Sequence, residues 1–256
     1  MRREGARRTK RSGGSDEAAF LDRYDPSRFE RPSVAVDVAL VSAAEGSLHT
    51  LVVRRAEHPG KGKWALPGGF VGIEEPLEVA AARVLATRSG LEGLFVEQLY
   101  TFGDPKRDPR TRVISVAYYA LVDFARFAQA RGSSDLAVGR ITVPWEGETG
   151  GAVELESESG APLPLAFDHG EILGTAVKRL RGKLDYTPVG FQLLPPSFTL
   201  LELQRVHETV LGRPLNKDSF RRRMLASGLL EATGERQAEV DHRPAERYRF
   251  ARRSAV

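Results

Sequence analysis

The spacing of apolar residues along the chain predicts a region of strands and helices. Residues 34–41 form an apolar run typical of a buried strand, and residues 49–55 form a second strand that ends in two arginines. Apolar residues at helical spacing predict a helix over residues 76–89, and strands are predicted again at residues 95–102 and 113–122. This order of elements indicates an α/β domain.

Three segments between the predicted elements have the composition of loops. Residues 61–69 carry glycines that let the main chain approach a ligand closely. Residues 103–110 are basic and rich in turn formers. Residues 131–164 are rich in Gly, Ser, Glu and Pro, and we expect a long loop or an inserted hairpin around residues 141–145.

A further helix is predicted over residues 167–184, with its apolar residues on one face and Asp168 at the N-cap. Residues 187–196 then lead to a C-terminal region with strong helix boundary signals. Residues 199–202, Thr-Leu-Leu-Glu, form a capping box at the start of one helix, and Gly212 marks its end.

The next helix is predicted over residues 217–227, capped by Asn216 and ended by Gly228. Short strands follow at residues 229–233 and 247–250. The resulting order of helix, turn, helix and hairpin is that of a winged helix-turn-helix domain.

The helix at residues 217–227 has two different faces. Phe220, Met224 and Leu225 cluster on the side expected to face the core. The other side carries Ser219, Arg222, Arg223 and Ala226. A free face of small, polar and basic residues suits a helix that reads the DNA major groove. The alternative is a small helical domain with a solvated basic face.

Composition narrows the class of protein. The 256-residue chain is 41% apolar and can bury a core, and it has no cysteine for disulfides or thiolate metal sites. No apolar run approaches the length that spans a bilayer. Residues 1–20 are basic and lack the apolar segment of a signal peptide, so we expect a disordered arm on a cytoplasmic protein.

Positive charge is concentrated towards the C-terminus. From Arg205 onward the chain carries 12 Lys and Arg against 7 Asp and Glu, a net charge of +5, whereas the whole chain carries +4. This asymmetry favours a polyanionic partner, and together with the two helices it favours DNA. The residues expected to contact DNA are Lys217, Ser219, Arg221, Arg222, Arg223, Arg236 and Arg243.

A spaced motif in the first region carries a family resemblance. Five residues separate Gly69 from Glu75, seven separate Glu75 from Arg83, and Gly90-Leu91 completes the frame. With Trp64-Ala-Leu-Pro-Gly-Gly before it, this frame resembles the box of Nudix proteins. The resemblance implies a Nudix-like α/β/α sandwich in which Glu75 and Arg83 form a structural ion pair.

The chain departs from the box at the positions that carry its chemistry. Nudix hydrolases place glutamates, which hold the cation that assists diphosphate cleavage, where this chain has Val84, Thr87 and Arg88. Val84 and Thr87 offer no carboxylate, and Arg88 puts a positive charge at the metal position. We therefore expect no catalytic residues, no metal site, no required cofactor and little or no hydrolase activity. Rescue by acids within residues 104–108 is the alternative.

Loss of the acids leaves groups that can hold a nucleotide. Arginine side chains offer planar, multidentate donors to phosphate oxygens, and aromatic rings are candidates to stack on a base. The residues expected to bind an effector are Arg54, Arg55, Trp64, Gly68, Gly69, Arg107, Arg110 and Tyr118. Residues 102–118 also resemble the corresponding stretch of Nudix proteins that handle ADP-ribose. For each aromatic residue, ordinary core packing is the competing interpretation.

A second resemblance covers nearly all of residues 34–250, apart from residues 131–164. Residues 165–173, 194–204, 220–222 and 242–248 are similar to the Nudix-related transcription regulators of NAD metabolism, the NrtR family. This resemblance implies a homodimer that binds a palindromic double-stranded DNA operator and represses genes of NAD synthesis or salvage. It also implies ADP-ribose as the effector that loosens DNA.

The predicted fold is therefore α/β (α+β) in three parts. Residues 1–20 are a disordered basic arm, residues 21–186 a Nudix-like effector-sensing domain with a loop or insertion at residues 131–164, and residues 187–256 a winged helix-turn-helix domain. The predicted function is that of a repressor with no membrane partner. Two alternatives stay open: a Nudix hydrolase acting on ADP-ribose or a related nucleoside diphosphate, and a regulator of another pathway that senses a sugar or another nucleotide.

Overall fold

The computed structural model describes residues 13–130, 135–184, 193–237 and 244–251 of the chain. The chain divides into two compact units, residues 1–32 and residues 33–256. The boundary between the units therefore lies after residue 32, whereas the sequence predicts it after residue 20.

The first unit contains helix α1 (Gly13–Leu21) and a 3-10 turn at Pro26–Arg28. The expectation of disorder is wrong for residues 13–20, which form most of α1. Good helix formers at residues 17–21, with Asp16 in the first turn, explain why this segment adopts a helix. The remainder of the predicted arm, residues 1–12, lies outside the described residues.

The second unit begins with a mixed sheet. Within the described residues, its eight strands are β1 (Ser33–Ala44), β2 (Ser47–Arg54), β3 (Trp64–Ala65), β4 (Gly68–Phe70), β5 (Glu97–Phe102), β6 (Val113–Leu121), β7 (Leu136–Thr142) and β8 (Glu154–Glu156). The main path through the sheet is β5-β6-β1-β2-β7-β8, while β3 pairs with β2 and β4 pairs with β1. The long strands β1 and β6 are parallel neighbours at its centre.

Helices cover both faces of this sheet. Alternate residues of β6 point to opposite faces, so Tyr118 joins a core cluster with Val84 of α2 (Leu77–Ser89) and Phe127 of α3 (Phe124–Ala130). Tyr119 joins a second cluster with Leu173 of α4 (His169–Lys183). The predicted α/β/α sandwich is confirmed. None of the described helices is long and apolar enough to cross a membrane.

The segment at residues 131–164 differs from the expected loop or insertion. Its strand β7 pairs with β2 from Leu136 opposite Val53 to Ile141 opposite Leu48, and β8 extends the same sheet. Residues 136–142 and 154–156 are therefore an integral part of the sandwich. The Gly and Arg residues of β7 obscure the strand pattern in the sequence, and β7 forms because a long-range partner satisfies its backbone.

Helix α4 lies close to the segment that leads into it. A Cβ atom on Gly174 would lie 1.9 Å from the carbonyl oxygen of Gly151, so only glycine permits this approach. Most of the other buried residues of α4 are apolar and pack on the sheet. The helix is thus fixed between the sheet and the main chain at residues 145–153.

The C-terminal part of the second unit is a winged helix-turn-helix fold, as predicted. Its elements are β9 (Phe198–Thr199), α5 (Leu200–Leu211), α6 (Lys217–Ala226), β10 (Leu230–Arg236) and β11 (Glu246–Phe250), with the strands in the order β10-β11-β9. Phe198, Leu203, Phe220 and Tyr248 form its core. The prediction for Leu225 is wrong, since it is 46% exposed at the edge of the predicted apolar face.

The capping box at the start of α5 is present as predicted. The Thr199 hydroxyl accepts a hydrogen bond from the Glu202 amide at 3.2 Å, and a Glu202 carboxylate oxygen accepts one from the Thr199 amide at 2.6 Å. Replacing Thr199 by Ala is expected to lower the free energy of unfolding by about 1 kcal/mol, the usual effect of losing an N-cap. Urea unfolding followed by circular dichroism measures this change, and Thr209→Ala on the same helix is the control. An unchanged urea midpoint in Thr199→Ala would contradict the role of the cap.

Candidate ligand cleft and DNA-binding surface

A polar cleft of about 460 Å³ opens beside β1 and β4. The loop at residues 103–112, the residues after β2 and the start of α4 complete its walls. Its charged and aromatic lining residues are Asp37, Arg55, Glu57, Phe70, Arg88, Arg107, Asp108, Arg110, Phe167 and His169. A volume of this size accommodates a nucleotide-sized ligand.

A buried polar network lies at the base of the cleft. The Ser115 hydroxyl donates to Asp37 Oδ2 at 2.5 Å, and the Leu66 amide donates to His169 Nδ1 at 2.8 Å. Burial lowers the pKa of His169, so the ring is neutral, with its proton on Nε2, 3.6 Å from Asp37 Oδ1. Gly68 is required beside this carboxylate, because a Cβ atom there would lie 2.1 Å from Asp37 Oδ1.

Arg107 connects this network to α4. Its Nε and Nη2 atoms donate to the two carboxylate oxygens of Asp168 at 2.8 and 2.7 Å, and Nη2 lies 3.5 Å from Asp37 Oδ2. Asp168 stands at the N-cap position of α4, as predicted, but its side chain makes no capping hydrogen bond. The bidentate bond to Arg107 occupies the carboxylate, so a cleft residue holds the first turn of α4.

The rim of the cleft is cationic and aromatic. The Arg55 guanidinium lies 4.6 Å from the centre of the Phe167 ring, and the Arg110 guanidinium lies 5.9 Å from the same ring. Phe167 has a φ of 54°, which is uncommon outside glycine and marks a constrained position. Burial lowers the pKa of Arg55, and the charges of Arg110 and Arg88 lower it further. An anion bound here would relieve this repulsion.

Five of the eight residues predicted to bind an effector line the cleft. They are Arg55, Gly68, Gly69, Arg107 and Arg110. The other three lie elsewhere. Arg54 is exposed at the end of β2, Trp64 packs against the core cluster beneath α4, and Tyr118 is 2% exposed in the cluster beneath α2. For Trp64 and Tyr118, core packing is what the structure shows.

Other cleft residues were not predicted from the sequence. Asp37 carries a signal, because it is a charged residue in the middle of an otherwise apolar strand. The sequence gives no such signal for Phe167 and His169, because the loop at residues 103–112 and the start of α4 meet only in the folded chain. Arg88 was predicted to displace a metal ion, and it lies in the lining of the cleft.

The ion pair predicted from the Nudix frame is present. Arg83 Nε and Nη2 lie 2.6 and 2.7 Å from the two Glu75 carboxylate oxygens, and Nη2 also donates to the Phe70 carbonyl at 3.0 Å. The Gly72 amide donates to Glu75 Oε2 at 3.0 Å. Glu75 and Arg83 thus brace the turn between β4 and α2.

The depressed pKa of Glu75 gives this brace a defined pH dependence. The hydrogen bond from Arg83 and that from the Gly72 amide lower its pKa from 4.5 to about 2. A group with a depressed folded-state pKa stabilises the fold fully above its unfolded pKa and loses that effect as pH falls. The difference in Tm between wild type and Glu75→Gln is therefore expected to be largest above pH 5 and to shrink between about pH 4.5 and about pH 2. A difference independent of pH over this range would contradict the brace.

The residues present do not fit the divalent cation that Nudix hydrolases use. Val84 is 1% exposed, and the Thr87 hydroxyl donates to the Arg83 carbonyl at 2.8 Å. In the part of the chain that the structure describes, no group of three or more His, Cys, Asp or Glu side chains is placed to hold a metal. Asp108, in the alternative acidic loop, instead pairs with Arg110 at 2.7 Å.

Those residues predicted to contact DNA that the structure describes lie on the exposed helix α6 and on β10 of the wing. On α6, Asn216 caps the helix by accepting a hydrogen bond from the Ser219 amide at 3.0 Å. The exposed residues from the predicted set are Lys217, Ser219, Arg221, Arg222, Arg223 and, on β10, Arg236. Arg243 lies outside the described residues. Phe220 and Met224 are buried behind the basic face of α6, which fixes its orientation.

Comparison with known proteins agrees with this two-part architecture. Residues 31–137 match the Nudix domain, and residues 190–250 match the NrtR DNA-binding winged helix domain. Over 239 residues, the chain is 38% identical to the ADPR responsive transcriptional repressor NtrR of Acinetobacter baylyi, covering 93% of this chain and 89% of that protein. The chain belongs to the NrtR family. The resemblance seen in the sequence is thereby confirmed.

Solved structures place this NrtR-family chain in the same fold. The Shewanella oneidensis NrtR crystallised with a 27mer DNA superposes with a TM-score of 0.69 at 34% identity, covering 85% of this chain and 93% of that one. A MutT/nudix family protein from Enterococcus faecalis gives a TM-score of 0.73 at 24% identity, covering 93% of this chain and 94% of that one, and supports the fold alone.

Proposed function

We propose that this protein is a transcriptional repressor that binds operator DNA through α6 and the wing and is released by ADP-ribose bound in the cleft. The observation that carries the proposal is the placement of α4. Its first turn belongs to the cleft through Asp168 and His169, and its far end shares one core cluster with α5 of the DNA-binding part. A ligand in the cleft therefore acts on the element against which the DNA-binding domain packs.

The cleft suits a nucleoside diphosphate. Arg55, Arg107 and Arg110 place guanidinium groups around a space large enough for such a molecule, and guanidinium forks match phosphate oxygens. The Phe167 ring at the rim is a surface for a base or ribose, a role predicted for other aromatic residues. ADP-ribose contains the required diphosphate and adenine, and the Acinetobacter baylyi relative is named as responsive to ADPR.

Competition for Arg107 supplies a mechanism. Ligand phosphates attract the same guanidinium that holds Asp168, so binding frees the Asp168 carboxylate. A free Asp at this position accepts hydrogen bonds from the first-turn amides of the helix, the usual role of an N-cap. The first turn of α4 then reorganises, and α5 and α6 move with α4. ADP-ribose and DNA must weaken each other to the same extent if this coupling exists.

The repressor is proposed to act as a homodimer on a palindromic operator of NAD synthesis or salvage genes. One reading helix contacts only a few base pairs, and two-fold pairing of two such helices doubles the contact. A shift of α4 would change the distance between the two α6 helices of the dimer. Operator affinity depends on this distance, because each α6 must reach its own half-site.

Catalytic inactivity is part of the proposal. A diphosphate hydrolase needs carboxylates to hold its cation, and the helix α2 offers Val84, Thr87 and Arg88 at those positions. Incubation of the protein with ADP-ribose and Mg²⁺, followed by chromatography for AMP, is expected to show no turnover above buffer. Rapid release of AMP would instead favour the hydrolase alternative.

Titration of labelled DNA from upstream of the protein's own gene, followed by fluorescence anisotropy, tests the regulator directly. Tight binding that ADP-ribose reverses is the expected result. Tight binding indifferent to ADP-ribose would retain the regulator and favour the alternative effectors, sugars or other nucleotides. Binding no tighter than to random DNA, at this site and at sites upstream of NAD genes, would overturn the proposal.

Replacement of Arg222 or Arg223 by Ala tests the reading face of α6. Each change is expected to weaken operator binding, and loss of a phosphate contact should reduce the slope of log affinity against log salt by about one. Lys178→Ala, an exposed change on α4, is the control and should leave both quantities unchanged. Wild-type affinity and salt slope in both arginine variants would mean that α6 presents a different face to DNA.

A further inference from the structure

Arg181 is a buried cation at the far end of α4, remote from the cleft. It is 7% exposed, and its Nε donates to the Val210 carbonyl at 2.8 Å, in the last turn of α5. Its Nη1 donates to the Gly147 carbonyl at 2.8 Å and lies 3.4 Å from the Trp145 carbonyl oxygen. The guanidinium also stacks over the Trp145 ring, 4.8 Å from its centre. One side chain therefore joins α4, the segment at residues 145–147 and α5.

The partners of Arg181 are unusual for a buried charge. Among the described residues, they are main-chain carbonyls and an aromatic ring, without a carboxylate. Burial lowers the pKa of Arg181, so the charged form is held at a cost in solvation. An apolar side chain would fill this space without that cost. The arginine supplies directional hydrogen bonds that an apolar side chain of similar volume would not.

Those bonds give a fixed direction to the contact between α4 and α5, which is otherwise apolar. Val206 and Val210 of α5 share a cluster with Leu180 of α4, but apolar contact has no preferred direction. The Arg181 fork fixes the end of α5 at one register against α4. Gly212 follows with a φ of 68°, and a Cβ atom there would lie 3.2 Å from Arg181 Nη2. The chain thus leaves room for the guanidinium where α5 ends.

We propose that Arg181 is the positioning residue through which the state of the cleft sets the position of the DNA-binding domain. Movement of α4 is transmitted to α5 through the bond from Arg181 to Val210, and α5 carries α6 with it. This inference rests on the proposed repressor function. Arg181 differs from residues that contact ligand or DNA, because its hydrogen-bond partners in the described part of the chain lie neither in the cleft lining nor on α6.

The test compares operator affinity with and without ADP-ribose in three full-length variants. Arg181→Met keeps much of the volume and removes the bonds, and Arg181→Lys keeps the charge and one bond. Arg179→Met is the control, since Arg179 lies two residues away on α4 and donates to the Leu99 carbonyl of β5, within the Nudix domain. The measured quantity is the ratio of the operator Kd in saturating ADP-ribose to that without it, alongside the Kd of ADP-ribose by calorimetry.

In wild type and Arg179→Met the ratio is expected to fall between about 5 and about 150, the usual range of allosteric coupling. In Arg181→Met the ratio should fall to within twofold of one while the Kd of ADP-ribose changes less than threefold. Arg181→Lys should restore part of the ratio. A ratio of one in the wild type would overturn the proposed function itself, whereas a wild-type ratio in Arg181→Met would overturn only the role of Arg181.

Hydrogen exchange on the wild-type protein keeps the inference testable if the variants fail to fold. ADP-ribose is expected to change amide protection at residues 208–213, where the Arg181 bond holds the end of α5. Changed protection in the cleft with unchanged protection at residues 208–213, in a protein whose operator binding responds to ADP-ribose, would overturn it.

Discussion

Replacing Arg107 by Gln is expected to weaken ADP-ribose binding by about 10- to 100-fold, since a hydrogen bond to a charged group contributes about 1.5–3 kcal/mol. Arg107 is 5% exposed at the base of the cleft, where its guanidinium bridges Asp168 and Asp37. Loss of the guanidinium removes a donor to the ligand and the link from the ligand to α4 together. Calorimetric titration with ADP-ribose measures the affinity, and anisotropy shows whether the operator response disappears as well.

The same change has a large expected effect on stability. It leaves the buried carboxylate of Asp37 and the partly buried carboxylate of Asp168 without their cation, and breaking a buried pair by removing one partner costs about 3–5 kcal/mol. Arg107→Lys keeps the charge, so it should unfold at a higher urea concentration than Arg107→Gln and still bind ADP-ribose weakly. Arg54→Gln is the control, because Arg54 is exposed and outside the cleft lining. If Arg107→Lys bound ADP-ribose with wild-type affinity, Arg107 would not be a ligand-binding residue.

Replacing Asp168 by Asn is expected to strengthen ADP-ribose binding, whereas Arg107→Gln is expected to weaken it. Asn holds Arg107 less tightly because it lacks the charge, yet it caps a helix as well as Asp does. The variant should therefore resemble the ADP-ribose-bound protein, with operator binding in the absence of ligand weakened about tenfold and ADP-ribose binding strengthened. Anisotropy and calorimetry measure the two effects.

Asp108→Asn provides the matched control for this change. Asp108 pairs with Arg110 at the rim, 2.7 Å away, and belongs to the loop at residues 103–112 instead of α4. Its replacement frees an arginine for the ligand without altering the start of α4. We expect stronger ADP-ribose binding and unchanged operator binding. If Asp168→Asn bound the operator as tightly as wild type, release of Asp168 would not be the step that moves α4.

Locally encoded features were predictable from the sequence. The capping box of α5, the stop at Gly90 and the Glu75–Arg83 pair each depend on residues that are close in the chain, and all three are present. The winged helix-turn-helix order was predictable for the same reason, because its boundaries carry Thr, Asn and Gly at the positions that helix ends require.

Features that depend on distant contacts were harder to predict. The sequence predicts a loop or an inserted hairpin where β7 lies, because the pairing partner β2 is about 83 to 93 residues earlier in the chain. Tyr118 was expected in the cleft, although its position in β6 turns it to the opposite face of the sheet from Tyr119. Phe167 was missed because its place beside Arg55 and Arg110 depends on three separate loops meeting.

The arginines of the cleft were predictable in part, for a chemical reason. Arg55, Arg107 and Arg110 lie in or next to turn-rich segments, and basic loops near glycines are where anions are bound. Their partners were not predictable, since the bond from Arg107 to Asp168 spans 61 residues. That bond connects the cleft to α4, and in the proposed mechanism α4 links the cleft to DNA binding.

In the proposed mechanism ADP-ribose and operator DNA weaken each other's binding through α4, and linkage makes this reciprocity measurable. Calorimetry measures the affinity for ADP-ribose of the free protein and of the protein saturated with operator DNA. We expect weaker binding of ADP-ribose to the DNA complex, by the same factor by which ADP-ribose weakens operator binding. Equal affinity for ADP-ribose in the two states would contradict it.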